Sequence, residues 1–154
     1  MSTQNLLQSL VVLHLIGFLL FAGSTIADFF GTRQFWKQYA LDASKAPAVL
    51  QAIAIFPIIV RIGIAVIILS GVGIMFMTNG VFGEQLWFRI KFGLLLLIIA
   101  NSLLVGLRQQ KKLKLALTTD TAIPEKVKSN LNRFFLTQVA CIFLIILLSV
   151  FKFN

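Results

Sequence analysis

Four stretches of about twenty apolar residues each constrain this chain most: Leu10–Phe30, Ile58–Met77, Leu86–Leu107 and Phe134–Phe151. A helix needs about 20 largely apolar residues to cross a hydrocarbon layer. It satisfies its own backbone hydrogen bonds there, which an open strand cannot do. The stretches take up most of the 154 residues, and no soluble domain fits in what remains. The expected fold is all-α, a four-helix transmembrane bundle. It forms one integral membrane domain over residues 1–154, with spans at about 8–30, 58–78, 84–107 and 131–151. Composition agrees, with 58% hydrophobic and 12% charged residues, against about 45–50% and 25% in soluble domains. Met1 to Asn5 carry no basic residue, whereas a signal peptide opens on a positive region. The first helix is therefore expected to be a retained span.

The formal net charge is +9. In a soluble protein that excess would favour nucleic acid. Here it falls in two of the three connections. Arg33, Lys37 and Lys45 lie in the first, and Arg108, Lys111, Lys112, Lys114, Lys126, Lys128 and Arg133 fill or flank the third. The second connection, Thr78–Gln85, holds only Glu84. Alternate connections share a side, and basic loops stay in the cytoplasm. Both termini are then expected outside and both basic loops inside, in a bacterial-type inner membrane. The lipid bilayer is the expected partner, a second copy of the chain is a candidate one, and nucleic acid is not expected.

In helix one, about Gln4–Phe30, the residues His14, Gly17, Phe21, Ser24/Thr25 and Asp28 recur at three- and four-residue steps. This stripe suits a face turned to other helices. Gly31–Lys45 reads as an amphipathic connector on the membrane surface, with Phe35, Trp36, Lys37 and Tyr39 at headgroup level. Helix two starts at Pro47 with Ser44 near its cap. Pro57 kinks it, so that Pro47–Phe56 lies oblique and Ile58–Met77 crosses. Asp28 and Arg61 fall at similar depth, and an ion pair between them would offset the cost of burying either. Helix three, about Gly83–Arg108, sets Trp87, Lys91, Leu94/Leu95, Ile98 and Asn101/Ser102 on one face, with Arg89 away from it. Lys111–Leu117 could extend it. After the polar turn Thr118–Glu125, helix four runs from about Pro124 to Lys152 and carries Asn130, Thr137, Gln138 and Cys141. The lone Cys141 excludes an intrachain disulfide and a cysteine-cluster metal site.

Two residues break the apolar pattern in a way that bears on chemistry. Lys91 sits one turn inside helix three, where a charge near the bilayer centre costs about 2.5–3.5 kcal/mol. His14, the single histidine, sits at comparable depth in helix one. Neutral imidazole ligates haem iron and transition metals; it can equally bond to a neighbouring helix. Lys91 can snorkel to the headgroups, or ligate as the neutral amine that burial favours. Met75 and Met77 are alternative soft ligands. There is no paired-carboxylate site, no Ser/His/Asp set and no glycine-rich phosphate loop, and the five acidic residues lie mostly in loops. That argues against a hydrolase and leaves redox work by a bound cofactor.

Val12-Leu13-His14-Leu15-Ile16-Gly17, followed by Phe21-Ala22-Gly23, resembles the first helix of the HemJ, CopD and related small membrane-protein superfamily. Arg61 and Gly71 resemble the arginine and glycine of that pattern's second helix. Trp87-Phe88-Arg89-Ile90-Lys91 resembles the motif that opens its third. The chain departs from the pattern in having no further histidine, with Ser102 near one such position. The resemblance implies haem b, oxidation of a porphyrinogen substrate to a porphyrin, and functional roles for His14 and Lys91. His14 would be an axial ligand, and Lys91 a second ligand or a propionate partner, in a site between helices one and three. Trp87 and Arg89 would line its outer mouth, and Asp28–Arg61 would brace the bundle. The alternatives are a non-enzymatic accessory or structural subunit and, from the CopD likeness, copper handling.

Overall fold

Ser2 opens the first helix. Its hydroxyl accepts from the Asn5 N–H at 3.3 Å, an N-terminal cap. With no proline before Pro47, the helix runs unbroken as α1, Thr3–Leu41. In the computed structural model, which describes residues 2–81, 83–119 and 121–151, its 39 residues extend about 58 Å. The sequence reading ended this helix at Phe30 and made 31–45 a surface connector. The structure corrects that: only Asp42–Lys45 turns. Asp42 stops α1 in extended conformation and closes the turn, accepting at Oδ1 from Ser44 N (3.0 Å) and Ser44 Oγ (2.6 Å). Ser44 thus serves this turn and does not cap the next helix.

Helix α2, Ala46–Ile53, has Pro47 in its first turn. The chain breaks at Ala54–Ile55 and resumes as α3, Phe56–Met77. Pro57 falls in the first turn of α3, where its missing N–H costs nothing. The irregularity expected at Pro57 thus falls just before it, at Ala54–Ile55, within a helix that runs Ala46–Met77 as a whole. At the far end Asn79 (φ 51°) and Gly80 (φ 72°) adopt the left-handed region, and Gly80 N bonds to the Met75 carbonyl at 2.9 Å. This satisfies a carbonyl that the helix end would orphan.

The second half holds α4 (Leu86–Asn101), a π-helical segment (Ser102–Gly106), α5 (Leu107–Thr118) and α6 (Glu125–Val150). The first three run on as one helix, Leu86–Thr118, so Lys111–Leu117 does extend it. The expected end of the last helix at Lys152, and Asp120 in the polar turn, lie outside the described residues. Four helices are long and apolar enough to cross a membrane: Thr3–Leu41, Ala46–Met77, Leu86–Thr118 and Glu125–Val150.

The chain divides into two compact units, Met1–Gln85 and Leu86–Asn154. In the first, α1 packs along α3. Gly17, Phe21, Ser24, Thr25 and Asp28 are buried on α1, while Leu15, Leu19 and Phe30 are exposed. This is the stripe that three- and four-residue spacing foretold. The helices approach backbone to backbone at Gly17 and Gly63. In the second unit, α6 packs on α4, the π segment and α5. There Gly106 lies directly under the Phe134 ring, where a β-carbon would sit 2.8 Å from the ring.

Candidate functional site

His14 lies in the first third of α1, half-buried, and faces α3. Its Nδ1 is 3.0 Å from Ser70 Oγ. The Ser70 hydroxyl is itself 2.5 Å from the Val66 carbonyl oxygen, one turn earlier on α3, and 3.2 Å from that of Ile67. Carbonyls only accept, so the hydroxyl proton is directed to Val66 and Ser70 Oγ is left to accept from His14. In the tautomer that carries its proton on Nδ1, the imidazole donates to Ser70 Oγ. Gly71 makes room for the ring: a β-carbon there would lie 3.3 Å from His14 Cε1. Met75, by contrast, directs its methyl toward Gly83 in the connecting turn.

Asp28 is buried on the same stripe, while Arg61 is exposed and donates from Nε to its own helix at the Pro57 carbonyl, 3.1 Å. The expected Asp28–Arg61 ion pair is not formed. Among the described residues the ion pair is Lys45–Asp42, at 3.2 Å. Asp42 lies outside the apolar helices, and the Ser44 hydroxyl and then Lys45 hold its carboxyl below the usual aspartate range.

In the second unit Lys91 and Trp87 stack one turn apart on α4. The ammonium lies 4.7 Å from the indole centroid, within cation–π range. Trp87 is buried, Lys91 half-buried and Arg89 exposed, so Arg89 does not share their face. The structure therefore brings Trp87 and Lys91 together and leaves Arg89 off their face.

Two features escaped the sequence reading. One is Ser70, a lone hydroxyl in an apolar run beside Gly71. The other is a polar node between α4 and α6. Gln138, 1% exposed, donates from Nε2 to Ser102 Oγ at 2.6 Å and to the Ile98 carbonyl at 3.4 Å. Asn101 Nδ2 donates to the Phe134 carbonyl at 3.2 Å. The node sits where α4 passes into the π segment, a widened turn that Gln138 bridges by bonding both a side chain and a main-chain carbonyl of the facing helix. Gln138 Oε1 is buried with no hydrogen-bond partner among the described residues.

No protein-family model, curated protein or solved structure matches this chain. Among the described residues no three His, Cys, Asp or Glu side chains gather as a metal-ligand cluster. A metal bound at His14 would have to bring most of its ligands with it. A haem iron does so, and a neutral imidazole is a donor of the right kind.

Proposed function

We propose that this chain is a multi-pass membrane protein that binds haem b through His14. Its work would be of HemJ type, the removal of hydrogen and electrons from a porphyrinogen-like substrate. One observation carries the reading: the Ser70 hydroxyl, 3.0 Å from His14 Nδ1, orients the imidazole. Metal-ligating histidines are oriented in the same way by a partner on the other ring nitrogen.

Haem iron, when bound, would supply one-electron redox chemistry. The residues of the chain would do the rest. Ser70 holds the ring and Gly71 admits it. In the second unit Lys91 is held over Trp87. The charge pattern, with Arg33 and Lys37 near the end of α1 and Lys45 in the turn after it, supports an inner-membrane protein with these cations and those of α5 and α6 in the cytoplasm and both termini outside. The second reading is a non-enzymatic accessory subunit. It is favoured by the same His14–Ser70 bond, which clips α1 to α3 whether or not a ligand is present.

The visible spectrum of protein purified in mild detergent, before and after dithionite, separates the two. A Soret band with sharpened reduced α and β bands, lost in His14→Ala while the helices stay folded, is the expected result. It would justify an assay of porphyrinogen oxidation. Colourless protein after expression with haem precursors supplied would leave the accessory reading. Lys91→Ala, read in the same spectra, tests the amine by itself.

A further inference from the structure

Between Leu107 and Arg133 the sequence sets seven Lys and Arg against Asp120 and Glu125. Topology alone needs only charge near a helix end. The structure adds order to that charge. Helices α5 and α6 pack together and bury Gln109, Leu113, Ala116, Val127 and Leu131. The rest of their surface presents Arg108, Lys111, Lys112, Lys114, Lys126 and Arg133, all exposed. The cations are thus fixed on the outside of a two-helix hairpin rather than carried on a loose loop.

Helix length sets their depth. Leu86 to Gly106, at about 1.5 Å per residue, spans about 31 Å, which is the thickness of a hydrocarbon core, about 30 Å. Arg108 then stands about 3 Å beyond the core edge, Lys111 and Lys112 about 8–9 Å, and Lys114 about 12 Å. On α6, Leu131 to Val150 covers the core in the same way, which puts Lys126 about 8 Å beyond it and the Arg133 backbone about 3 Å inside its edge, a depth from which a long side chain reaches the headgroups. The headgroup layer is about 5–8 Å deep on each side, and charges act across about 8 Å at physiological salt.

We propose that the α5–α6 hairpin binds anionic phospholipid headgroups, its lysines and arginines engaging their phosphates. A soluble polyanion would not need cations placed at headgroup depth. Each lysine near an anionic surface is worth roughly a five-fold gain in affinity.

The test uses the full chain in mild detergent. It is titrated with phosphatidylglycerol or phosphatidylcholine of matched acyl chains, and bound lipid is counted by native mass spectrometry. Phosphatidylglycerol is expected to be retained in preference. K111Q/K112Q/K114Q should lower that retention by about tenfold or more, and K111R/K112R/K114R should restore it. The charge-matched control R33Q/K37Q/K45Q, in the first unit, should lower it less. Equal retention of the two lipids in the unaltered protein would overturn the proposal. So would an unchanged preference in K111Q/K112Q/K114Q, or an equal loss in the control. Displacement of the lipid by inorganic phosphate at equal phosphate concentration would overturn it too, by assigning the site to a free anion.

Discussion

Replacing Gly63 with alanine should weaken the first unit and disturb His14, although the two residues do not touch. A β-carbon at Gly63 would lie 2.6 Å from Phe21 N, 2.8 Å from the Gly17 carbonyl oxygen and 3.0 Å from Phe21 Cα. All three are backbone atoms, so no side chain can turn aside. Ordinary contact begins near 3.4 Å, so α1 and α3 must part by the difference from 2.6 Å, which is 0.8 Å. Overpacking by one carbon costs about 1–3 kcal/mol. The His14–Ser70 bond, one to two turns away on the same faces, starts at 3.0 Å and would lengthen past the roughly 3.6 Å at which a hydrogen bond is lost. Interhelical hydrogen bonds in membranes are worth about 0.6 kcal/mol on average and about 1.7 at most. The total expected loss is about 2–4 kcal/mol. Thermal unfolding in detergent, followed by far-ultraviolet circular dichroism, reads it. Gly23→Ala is the control, since nothing lies within 4 Å of a β-carbon there; it should be neutral or stabilising by up to about 1 kcal/mol. Equal stability of the Gly63 and Gly23 variants would refute the close-approach reasoning.

Three further outcomes are expected. Ser70→Ala removes the partner of His14 Nδ1, so nitrogen NMR of the labelled imidazole should show a changed balance of the two neutral tautomers; an unchanged spectrum would show that Ser70 does not set the proton's place. Gln138→Leu strips Ser102 and the Ile98 carbonyl of their donor at similar volume, and should destabilise the second unit by about 1–2 kcal/mol in the same unfolding assay; a more stable variant would mean that the unpartnered Oε1 outweighs the two bonds. Asp42 has its acidity increased by Ser44 and Lys45, so its folded value lies below its unfolded one; its contribution is complete above about pH 4 and is lost as pH falls through the folded value. Carbon-13 NMR of the carboxyl should show that depressed titration, and a normal titration would remove the turn's electrostatic account.

Much of the helical plan was legible because span length and helical periodicity are local signals. The buried stripe of α1 follows from residue spacing alone, and Pro57 marks the break before α3. The continuation of α1 to Leu41 was not legible, because Arg33, Trp36 and Lys37 read as headgroup chemistry. The run from Thr32 to Leu41 has no glycine or proline to stop a helix, and the stop comes only with the Asp42 turn. The Asp28–Arg61 pairing was argued from depth, but depth does not fix azimuth: Arg61 lies on an exposed face of α3 and uses its own backbone. His14 stood out because it is unique. Ser70, which decides what that histidine can donate, did not, because one serine in an apolar run carries no periodic signal. The π segment is still less readable, since Gln138 of another helix bonds the carbonyl and hydroxyl beside it.

The division at Gln85 bears on how the protein is made. All the packing of α1 on α3, including the Gly17–Gly63 approach and the His14–Ser70 bond, lies within the first 85 residues. A nascent chain can therefore insert and close its first helical pair before the second has left the ribosome. The histidine is then already oriented while half of the protein is still to be synthesised.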